Sequence, residues 1–268
     1  KGFKLKVSVL MAVNKDDGFL NEAIQSIISQ SYSNFEFVIV ANNCTDSLWS
    51  AINAWAEKDC RIKPFRIKIG GLAFALNYGI EQAHGDYILR MDADDIAMPD
   101  LLEKKIAFLQ DNPEVDILGS QSVFINKRSD IVESILPTKN PKEHIDIVEK
   151  FTYKNTIQHP SVFFKKQAVI SAGGYIFGYY AEDWDLWIRL WLNGAKFHNL
   201  SDVLIKYRLH GNQMTAQSFN SKRSTEISGM LWLHYKKTKN KKFLFGILVQ
   251  TRFFYWLIHS TYRLRKSF

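Results

Sequence analysis

The first half of the chain alternates between short apolar runs and amphipathic segments, and this alternation limits the fold more than any other feature of the sequence. Val7–Val13 (VSVLMAV) and residues 35–41 (FEFVIVA) are rich in β-branched residues, which is typical of strands buried on both faces. Further strands are predicted at 63–69 and 87–91, and helices at 21–30, from Asp46 onward, at 72–83 and at 100–110. Strands that alternate with helices predict an α/β fold with a mostly parallel, doubly wound sheet.

The second half of the chain has a more mixed pattern. Strands are predicted at 117–125, 131–136, 161–164, 197–200 and 203–209, and helices at 141–150 and 183–193. Two helix ends are also predicted: Asp46 is expected to cap the second helix, and Gly85 to end the third. No internal repeat or low-complexity linker interrupts the sequence. We therefore expect one domain over 1–212 and a basic, aromatic, helical C-terminal extension over 213–268.

Positive charge is concentrated in that extension. Residues 213–268 hold eleven Lys or Arg and one acidic residue, Glu226, whereas residues 1–212 hold 24 basic and 26 acidic groups. This asymmetry indicates an anionic partner, either a membrane surface or nucleic acid. The apolar segment 243–258 is shorter than the roughly 20 residues that cross a bilayer. With basic residues on both sides, it is expected to lie in the headgroup region; the alternative is a core helix packed on the domain.

Polar residues follow three of the predicted strands. Asn14 and Asn42 come after the first two, and Asp92 and Asp94 after the fourth. Parallel strands bring these residues to the one sheet edge where ligands bind. In an extended segment Asp92 and Asp94 point the same way, whereas Asp95 points elsewhere. Clustered carboxylates favour a hard divalent ion such as Mg²⁺ or Mn²⁺, the alternative being a solvated turn that caps the next helix.

A second acidic pair, Glu182 and Asp183, opens a predicted helix. Acidic residues in a first turn complement the helix dipole, but a carboxylate facing a cleft also serves as a general base toward a hydroxyl. Trp184 stands beside the pair and is the aromatic candidate for stacking on a sugar ring. His159 and His210 each flank an apolar run, and either is a metal ligand or a structural histidine.

Several common catalytic patterns are absent from the sequence. It contains no GxGxxG, P-loop, HExxH, paired CxxC or GxSxG pattern, which disfavours dinucleotide oxidoreductases, P-loop ATPases, zincins and α/β-hydrolases. Cys44 and Cys60 are the only cysteines, and no apolar stretch of signal-peptide length follows the N-terminal lysines. Both features favour a reducing, cytoplasmic compartment.

An ordered set of motifs over about residues 6–212 resembles glycosyltransferase family two, the inverting nucleotide-sugar transferases. In order they are VSVLMAVN at 7–14, VIVANNCTD at 38–46, GGLAFALNYGI at 70–80, GDYILRMDADDIAMPDLLEKK at 85–105, HPSVFF at 159–164, GGY at 173–175, AEDWDLWIRL at 181–190 and YRLHGNQ at 207–213. The resemblance implies a Rossmann-like glycosyltransferase A-type fold. It also implies an enzyme of the bacterial surface-polysaccharide or lipopolysaccharide type, such as those that build O-antigen.

Carried over by position, the resemblance also implies individual roles. The nucleotide sugar would be bound by Ala12, Asn14, Asn42, Gly71, Leu72, Asp92 and Asp94, with Asn42 facing the uracil. The DXD pair would bind Mn²⁺ or Mg²⁺ through Asp94 and Asp92, with His210 as a further ligand. Asp183 would be the catalytic base, and the acceptor would be contacted by Glu182 and Trp184. The family's Asp-Asp-Gly-Ser is Ala41-Asn42-Asn43-Cys44 here, and an Asn amide still pairs with the uracil edge.

The resemblance therefore implies a non-processive inverting hexosyltransferase, because the QxxRW motif of processive synthases is absent. It would move one hexose or N-acetylhexosamine from a UDP-sugar to a glycan or lipid-diphosphate-linked saccharide. The basic tail would hold it at the inner face of the cell membrane, with no nucleic-acid partner. Two other classes stay open: a metal-dependent nucleotidyltransferase that releases pyrophosphate, and a non-catalytic membrane- or RNA-binding module whose binding weakens steeply with salt.

Overall fold

The computed structural model describes residues 5–176, 178–211 and 221–251. Its first half has the predicted alternation of strands and helices. The elements are β1 (Val7–Val13), α1 (Leu20–Ile28), β2 (Phe35–Asn42), α2 (Asp46–Lys58), β3 (Ile62–Ile67), α3 (Leu72–Gln82), β4 (Tyr87–Met91), β5 (Ile96–Ala97) and α4 (Leu101–Asp111).

The second half departs from the sequence prediction at two strands. Its elements are β6 (Ile117–Ile125), α5 (His144–Lys150), a 3₁₀ turn (His159–Ser161), β7 (Phe163–Lys165), α6 (Lys166–Ser171), α7 (Glu182–Leu192), β8 (Phe197–Arg208), α8 (Ser221–Thr238) and α9 (Lys242–Val249). The strand predicted at 131–136 is wrong, since only a single bridge joins Ile131 to Ile125. The two runs predicted after α7 form the one strand β8, whose pairing with β6 shifts register near Gln121.

An eight-stranded sheet runs in the order β3-β2-β1-β4-β7-β6-β8-β5. Strands β3, β2, β1 and β4 are parallel, as predicted. The sheet as a whole is mixed, because β7 runs antiparallel to both β4 and β6. Val13 of β1 pairs with Ala41, and Met11 pairs with Met91. The residues that follow these strands therefore emerge at one edge of the sheet.

Hydrophobic packing covers both faces of the sheet. Alternate residues of one strand point to opposite faces, so Val9 and Met11 join a cluster with α1, α2 and α4, while Leu10 joins one with α3 and α7. This two-sided burial explains why β1 and β2 are apolar at most positions instead of alternating, with Ser8, Glu36 and Asn42 as the polar exceptions.

The two helix ends predicted from sequence are both different in the structure. Thr45, not Asp46, caps α2, because its hydroxyl accepts the Leu48 N–H at 3.3 Å. Asp46 pairs with Arg66 instead. Gly85 does not end α3, whose last turn is followed by Ala83 in an extended conformation. A Cβ at Gly85 would lie 2.5 Å from the Ser8 backbone nitrogen, so the glycine permits close approach to β1.

The C-terminal helices pack on the main domain. The buried side chains Ile227, Met230, Leu231 and Phe243 share a hydrophobic cluster with α7. A Cβ at Gly246 would lie 1.9 Å from the Thr152 carbonyl oxygen, so the α9 backbone approaches the domain closely. For residues 243–251, this packing agrees with the second of the two expectations for the apolar segment, a helix packed on the domain. The rest of the segment, 252–258, lies outside the described residues. None of the helices described is both long and apolar enough to span a bilayer.

The burial of Lys105 is expected to make the stability of the fold depend on pH. Its side chain on α4 is fully buried and donates from Nζ to the Leu118 carbonyl at 3.0 Å, and burial lowers its pKa from 10.5 to about 7. Between these two values the unfolded chain binds the proton and the folded chain does not. The contribution of Lys105 to the free energy of unfolding is therefore expected to rise with pH from about 7 to about 10.5 and to be constant below about 7.

Replacing Lys105 with Met is expected to remove this rise and to increase the free energy of unfolding at pH 7, because no charge then needs desolvation. Urea titrations across this pH range measure the effect. The exposed Lys154→Met is the control, and it should leave the pH dependence intact. An unchanged pH dependence in Lys105→Met would contradict the assignment.

Candidate active site

Three carboxylates gather where β4 ends. One oxygen each of Asp92, Asp94 and Asp95 lies within 4.8 Å of the others. The prediction that Asp95 points elsewhere is therefore wrong, because the chain turns into β5 directly after it. Asp95 Oδ1 accepts the Arg208 N–H at 2.8 Å, while its buried Oδ2 has no hydrogen-bond partner among the described residues. A buried, unpaired oxygen beside two further carboxylates is a donor set that suits a hard divalent cation.

His210 adjoins this acidic group, as its predicted role requires. Its Nε2 lies 2.8 Å from Asp94 Oδ2, and its ring lies 5.2 Å from the Phe19 ring. The side chain is buried just beyond the end of β8, so the edge of the sheet fixes its position. Its role as a metal ligand stays a prediction.

A buried arginine, Arg90, holds Asp92 in place. Its two terminal nitrogens contact the two carboxylate oxygens of Asp92, at 2.6 and 2.5 Å. Burial raises the pKa of Asp92, and the Arg90 charge opposes that rise. Sequence reasoning missed Arg90, although an arginine within the otherwise apolar strand YILRM is itself a signal, because buried charges need a partner.

A second buried arginine, Arg208, fixes the backbone of the acidic segment. Its Nε donates to the Asp94 carbonyl at 2.7 Å, and its guanidinium contacts Glu22 and lies 4.4 Å above the Phe19 ring. It anchors β8 to the turn that carries the carboxylates. Sequence reasoning missed it too, because its partner lies 114 residues away along the chain.

The second acidic pair opens α7. Asp183 is half-buried, and its carboxylate accepts from Asn155 Nδ2 at 2.8 Å and from the Trp184 N–H at 2.6 Å. Burial raises the pKa of Asp183 against these hydrogen bonds and the charge of Arg90. The Arg90 charge thus lowers the pKa of both Asp92 and Asp183, against the effect of burial. The arrangement can bind a cation on one side and accept a proton on the other.

Glu182 is buried beside Asp183. Burial and the Asp183 charge raise the pKa of Glu182 to about 8, and its Oε1 lies 3.9 Å from His159 Nδ1. The other ring nitrogen of His159, Nε2, lies 2.8 Å from the Tyr175 hydroxyl oxygen. His159 therefore lies beside Glu182 and not among the aspartates after β4. The acceptor-binding role of Glu182 stays a prediction.

The predicted stacking of Trp184 on a sugar is wrong. The ring is buried, and its Nε1 donates to the Phe151 carbonyl at 2.8 Å. Trp184 is the first residue of an i, i+3, i+4, i+7 apolar stripe, and that helical spacing turns it to the core with Trp187. The exposed aromatic side chain nearby is Tyr179, which is 62% exposed and precedes α7.

The remaining predicted site residues lie at the ends of β1 and β2 and the start of α3. Ala12 and Leu72 are half-buried, and Asn14 is exposed. The buried Asn42 amide donates to the Val13 carbonyl at 3.0 Å and accepts the Gly71 N–H at 3.1 Å, an orientation assigned from these neighbours. Asn42 thereby links the end of β1 to the residue that precedes α3. Its pairing with uracil stays a prediction.

Comparison with known proteins identifies the family. Residues 8–171 match the model of glycosyl transferase family 2, which covers more than half of the chain. The chain belongs to glycosyltransferase family 2. It is therefore a sugar-transferring enzyme, as the motifs predict. The matched range includes the aspartates after β4 and ends before α7.

Two relatives from Escherichia coli extend the match beyond that range. The O-antigen biosynthesis glycosyltransferase WbnJ is 35% identical over 217 residues, 79% of this chain and 82% of that protein. The UDP-Gal:alpha-D-GlcNAc-diphosphoundecaprenol beta-1,3-galactosyltransferase is 33% identical over 209 residues, 76% of this chain and 74% of that protein. The family-2 glycosyltransferase is thus similar to enzymes of surface-polysaccharide assembly.

A solved structure confirms the predicted glycosyltransferase A-type fold. The S. aureus TarS structure in complex with UDP-GlcNAc superposes with a TM-score of 0.70 at 18% identity, over 92% of this chain and 72% of that one. At this identity the likeness concerns the fold. The family-2 chain thus carries its acidic group on a sheet of known architecture.

Proposed function

We propose that this glycosyltransferase moves one hexose or N-acetylhexosamine from a UDP-sugar, with inversion, to a glycan or lipid-diphosphate-linked saccharide of a bacterial surface polysaccharide. The observation that carries the proposal is the group of carboxylates after β4, in which one oxygen each of Asp92, Asp94 and Asp95 lies within 4.8 Å of the others. The relatives support the substrate classes, since one is named for O-antigen biosynthesis and one for a UDP-Gal donor and a diphosphoundecaprenol-linked acceptor.

The donor side of the site fits a nucleoside diphosphate with a divalent cation. The ends of β1 and β2 lie at one edge of the sheet, where Asn42 joins Val13 to Gly71 just before α3. A Mn²⁺ or Mg²⁺ ion would be held by Asp94 with Asp92 and Asp95, and by His210 beside them. When bound, such an ion offsets negative charge on the leaving diphosphate.

The acceptor side of the site supplies a base. The acceptor hydroxyl attacks the anomeric carbon, the bond from that carbon to the diphosphate oxygen breaks, and the hydroxyl proton passes to Asp183. Burial raises the pKa of Asp183, which makes it a stronger base than an exposed aspartate. Asn155 donates to Asp183 Oδ2 and so orients the other carboxylate oxygen. Attack from the side opposite the leaving group inverts the anomeric configuration.

A donor panel tests the proposed reaction. UDP-, GDP- and dTDP-sugars are each supplied with Mn²⁺ or Mg²⁺, with and without lipid-diphosphate-linked sugar acceptors, and release of the nucleoside diphosphate is followed. The proposal requires metal-dependent release of UDP that an acceptor accelerates. Release of pyrophosphate would indicate a nucleotidyltransferase instead, and no release from any donor with acceptors present would contradict the proposal.

We also propose that the enzyme works at the cytoplasmic face of the membrane, held there by its C-terminal helices. Trp232 and Leu233 on α8 and Phe245 and Leu248 on α9 are exposed. Exposed lysines surround them at positions 236, 237, 239, 241 and 242. Exposed apolar residues beside a lysine cluster favour binding to anionic lipid surfaces.

Replacing both Trp232 and Leu233 with Ser is expected to weaken binding to anionic vesicles about tenfold or more, because each buried apolar side chain contributes about 1.5–3 kcal/mol. Co-sedimentation with phosphatidylglycerol vesicles measures this. Leu136→Ser is the control, since Leu136 is 73% exposed and lies on a loop outside α8 and α9. Equal vesicle binding by both variants would contradict the membrane proposal.

A further inference from the structure

Glu226 on α8 makes an unusual set of hydrogen bonds with the chain that leads into α7. Its Oε1 accepts three successive backbone N–H groups, those of Tyr179 at 2.8 Å, Tyr180 at 2.5 Å and Ala181 at 2.9 Å. Consecutive N–H groups that converge on one anionic oxygen form a strong, charge-assisted contact. Glu226 is also the one acidic residue of the last 56 in the sequence. The contact therefore involves a carboxylate within an otherwise basic extension.

The loop before α7 is shaped around this carboxylate. Gly178 has a φ of +61°, which residues with side chains rarely adopt. A Cβ at Gly178 would lie 2.1 Å from Glu226 Oε1. The glycine thus permits both the backbone conformation and the close approach of the glutamate.

A second contact fixes α8 to α7 on the other side of Asp183. The buried His234 Nε2 lies 2.9 Å from Asp185 Oδ1, and Asp185 Oδ2 accepts from Arg189 Nε at 2.7 Å. Glu226 holds residues 179–181 before Asp183, and His234 holds the residue two positions after it. The segment that carries Asp183 is therefore attached to α8 at both ends.

Arg223 adds an electrostatic link between α8 and Asp183. Although burial is the main influence and raises the pKa of Asp183, the Arg223 charge acts to lower it. Arg223 therefore lies near enough to interact with the carboxylate. Helix α8 contributes both to the backbone that supports Asp183 and to the charge around it.

We propose that α8 of the C-terminal extension sets the position of the Asp183 carboxylate, with Glu226 as the positioning residue. The proposal rests on the function proposed above, because it takes Asp183 as the base. Glu226 acts through the backbone of residues 179–181: it fixes the turn into α7, and this turn fixes where the carboxylate meets the acceptor hydroxyl. The extension is then part of the acceptor side of the active site.

Glu226→Ala tests the positioning role. It is expected to lower kcat about 10²-fold, since small displacements of a catalytic group have effects of that size. The Kd for UDP with Mn²⁺ should stay unchanged, because the donor residues lie on other elements. Glu226→Gln should lower kcat less, because its amide oxygen still accepts N–H groups without the negative charge. The control is Glu149→Ala, which removes the Lys242 partner on α9 far from Asp183 along the chain and should leave kcat unchanged.

Hydrogen exchange at residues 179–181 gives a readout that does not depend on activity. Glu226→Ala should speed exchange of these three amides relative to the wild type and to Glu149→Ala. This result holds even if the donor panel finds no transfer, so failure of the proposed function and failure of the contact are distinguishable. If Glu226→Ala does not fold, the same readouts are taken on Glu226→Gln. Wild-type kcat in the folded variant, or equal losses of kcat and of UDP affinity, would overturn the proposal.

Discussion

Asp183→Asn is expected to lower kcat for sugar transfer about 10³-fold, since general-base catalysis contributes 10²–10⁴-fold. The variant keeps the size of the side chain and still accepts from Asn155, but its amide oxygen cannot take the proton of the acceptor hydroxyl. The Kd for UDP with Mn²⁺ should not change, because the proposed donor-binding residues lie at the ends of β1, β2 and β4. Steady-state kinetics of UDP release and calorimetric titration of UDP measure the two effects separately.

Asp146→Asn is the matched control for this substitution. Asp146 is also an acidic residue in the first turn of a helix, but it is exposed and lies on α5. Its replacement should leave kcat unchanged. Asp183→Asn with nearly wild-type kcat would contradict the base assignment, because a carboxylate that only complements a helix dipole contributes stability and no catalysis.

The same assignment predicts how kcat depends on pH. Burial raises the pKa of Asp183, so the carboxylate becomes protonated at a higher pH than an ordinary aspartate with a pKa of 3.8. A protonated carboxyl group cannot accept the hydroxyl proton. The wild-type kcat is therefore expected to fall as the pH decreases, with a midpoint above 3.8.

Asp94→Asn is expected to abolish metal-dependent activity, with a loss of 10² or more, because changes near a bound metal cost 10–100-fold even beyond the direct ligands. The substitution removes one charge from the three carboxylates and weakens the contact with His210. Binding of UDP should no longer be strengthened by Mn²⁺. Titrating UDP into the wild type and into Asp94→Asn, once with Mn²⁺ and once with excess chelator, measures how far the metal strengthens UDP binding in each protein.

Asp86→Asn is the control for the acidic group. Asp86 is exposed and lies just before β4, at the opposite end of the strand from Asp92. It should keep both the activity and the effect of Mn²⁺ on UDP binding. If Asp94→Asn bound UDP as the wild type does, with the same dependence on Mn²⁺, the carboxylates after β4 would not hold a cation.

Local sequence patterns predict the parallel half of the sheet and the location of the acidic group. The mostly apolar runs of β1 and β2 indicate burial on both faces, and strand polarity then brings Asn14, Asn42 and Asp92 to one edge. The antiparallel insertion of β7 between β4 and β6 was not predictable in this way, because a strand of only three residues, Phe163–Lys165, does not indicate its partner.

Other features depend on contacts between distant parts of the chain. Arg208 reaches Asp94 across 114 residues, and Glu226 reaches Ala181 across 45, so no local pattern reveals either contact. The position of Trp184 next to the acid pair favours a sugar contact, but its helical spacing places the ring on the core-facing side of α7. Burial decided its orientation, because an indole ring gains more from packing than from exposure.

The configuration of the first product tests the central claim most directly. The enzyme is supplied with a UDP-sugar of α configuration, the metal that supports UDP release and the acceptor selected by the donor panel. The anomeric configuration of the new glycosidic bond is then determined by NMR on the first product formed. Direct attack by a hydroxyl deprotonated by Asp183 predicts a β linkage, formed about 10³-fold more slowly by Asp183→Asn. An α linkage would contradict the account, because it requires retention of configuration, which a single direct displacement does not give.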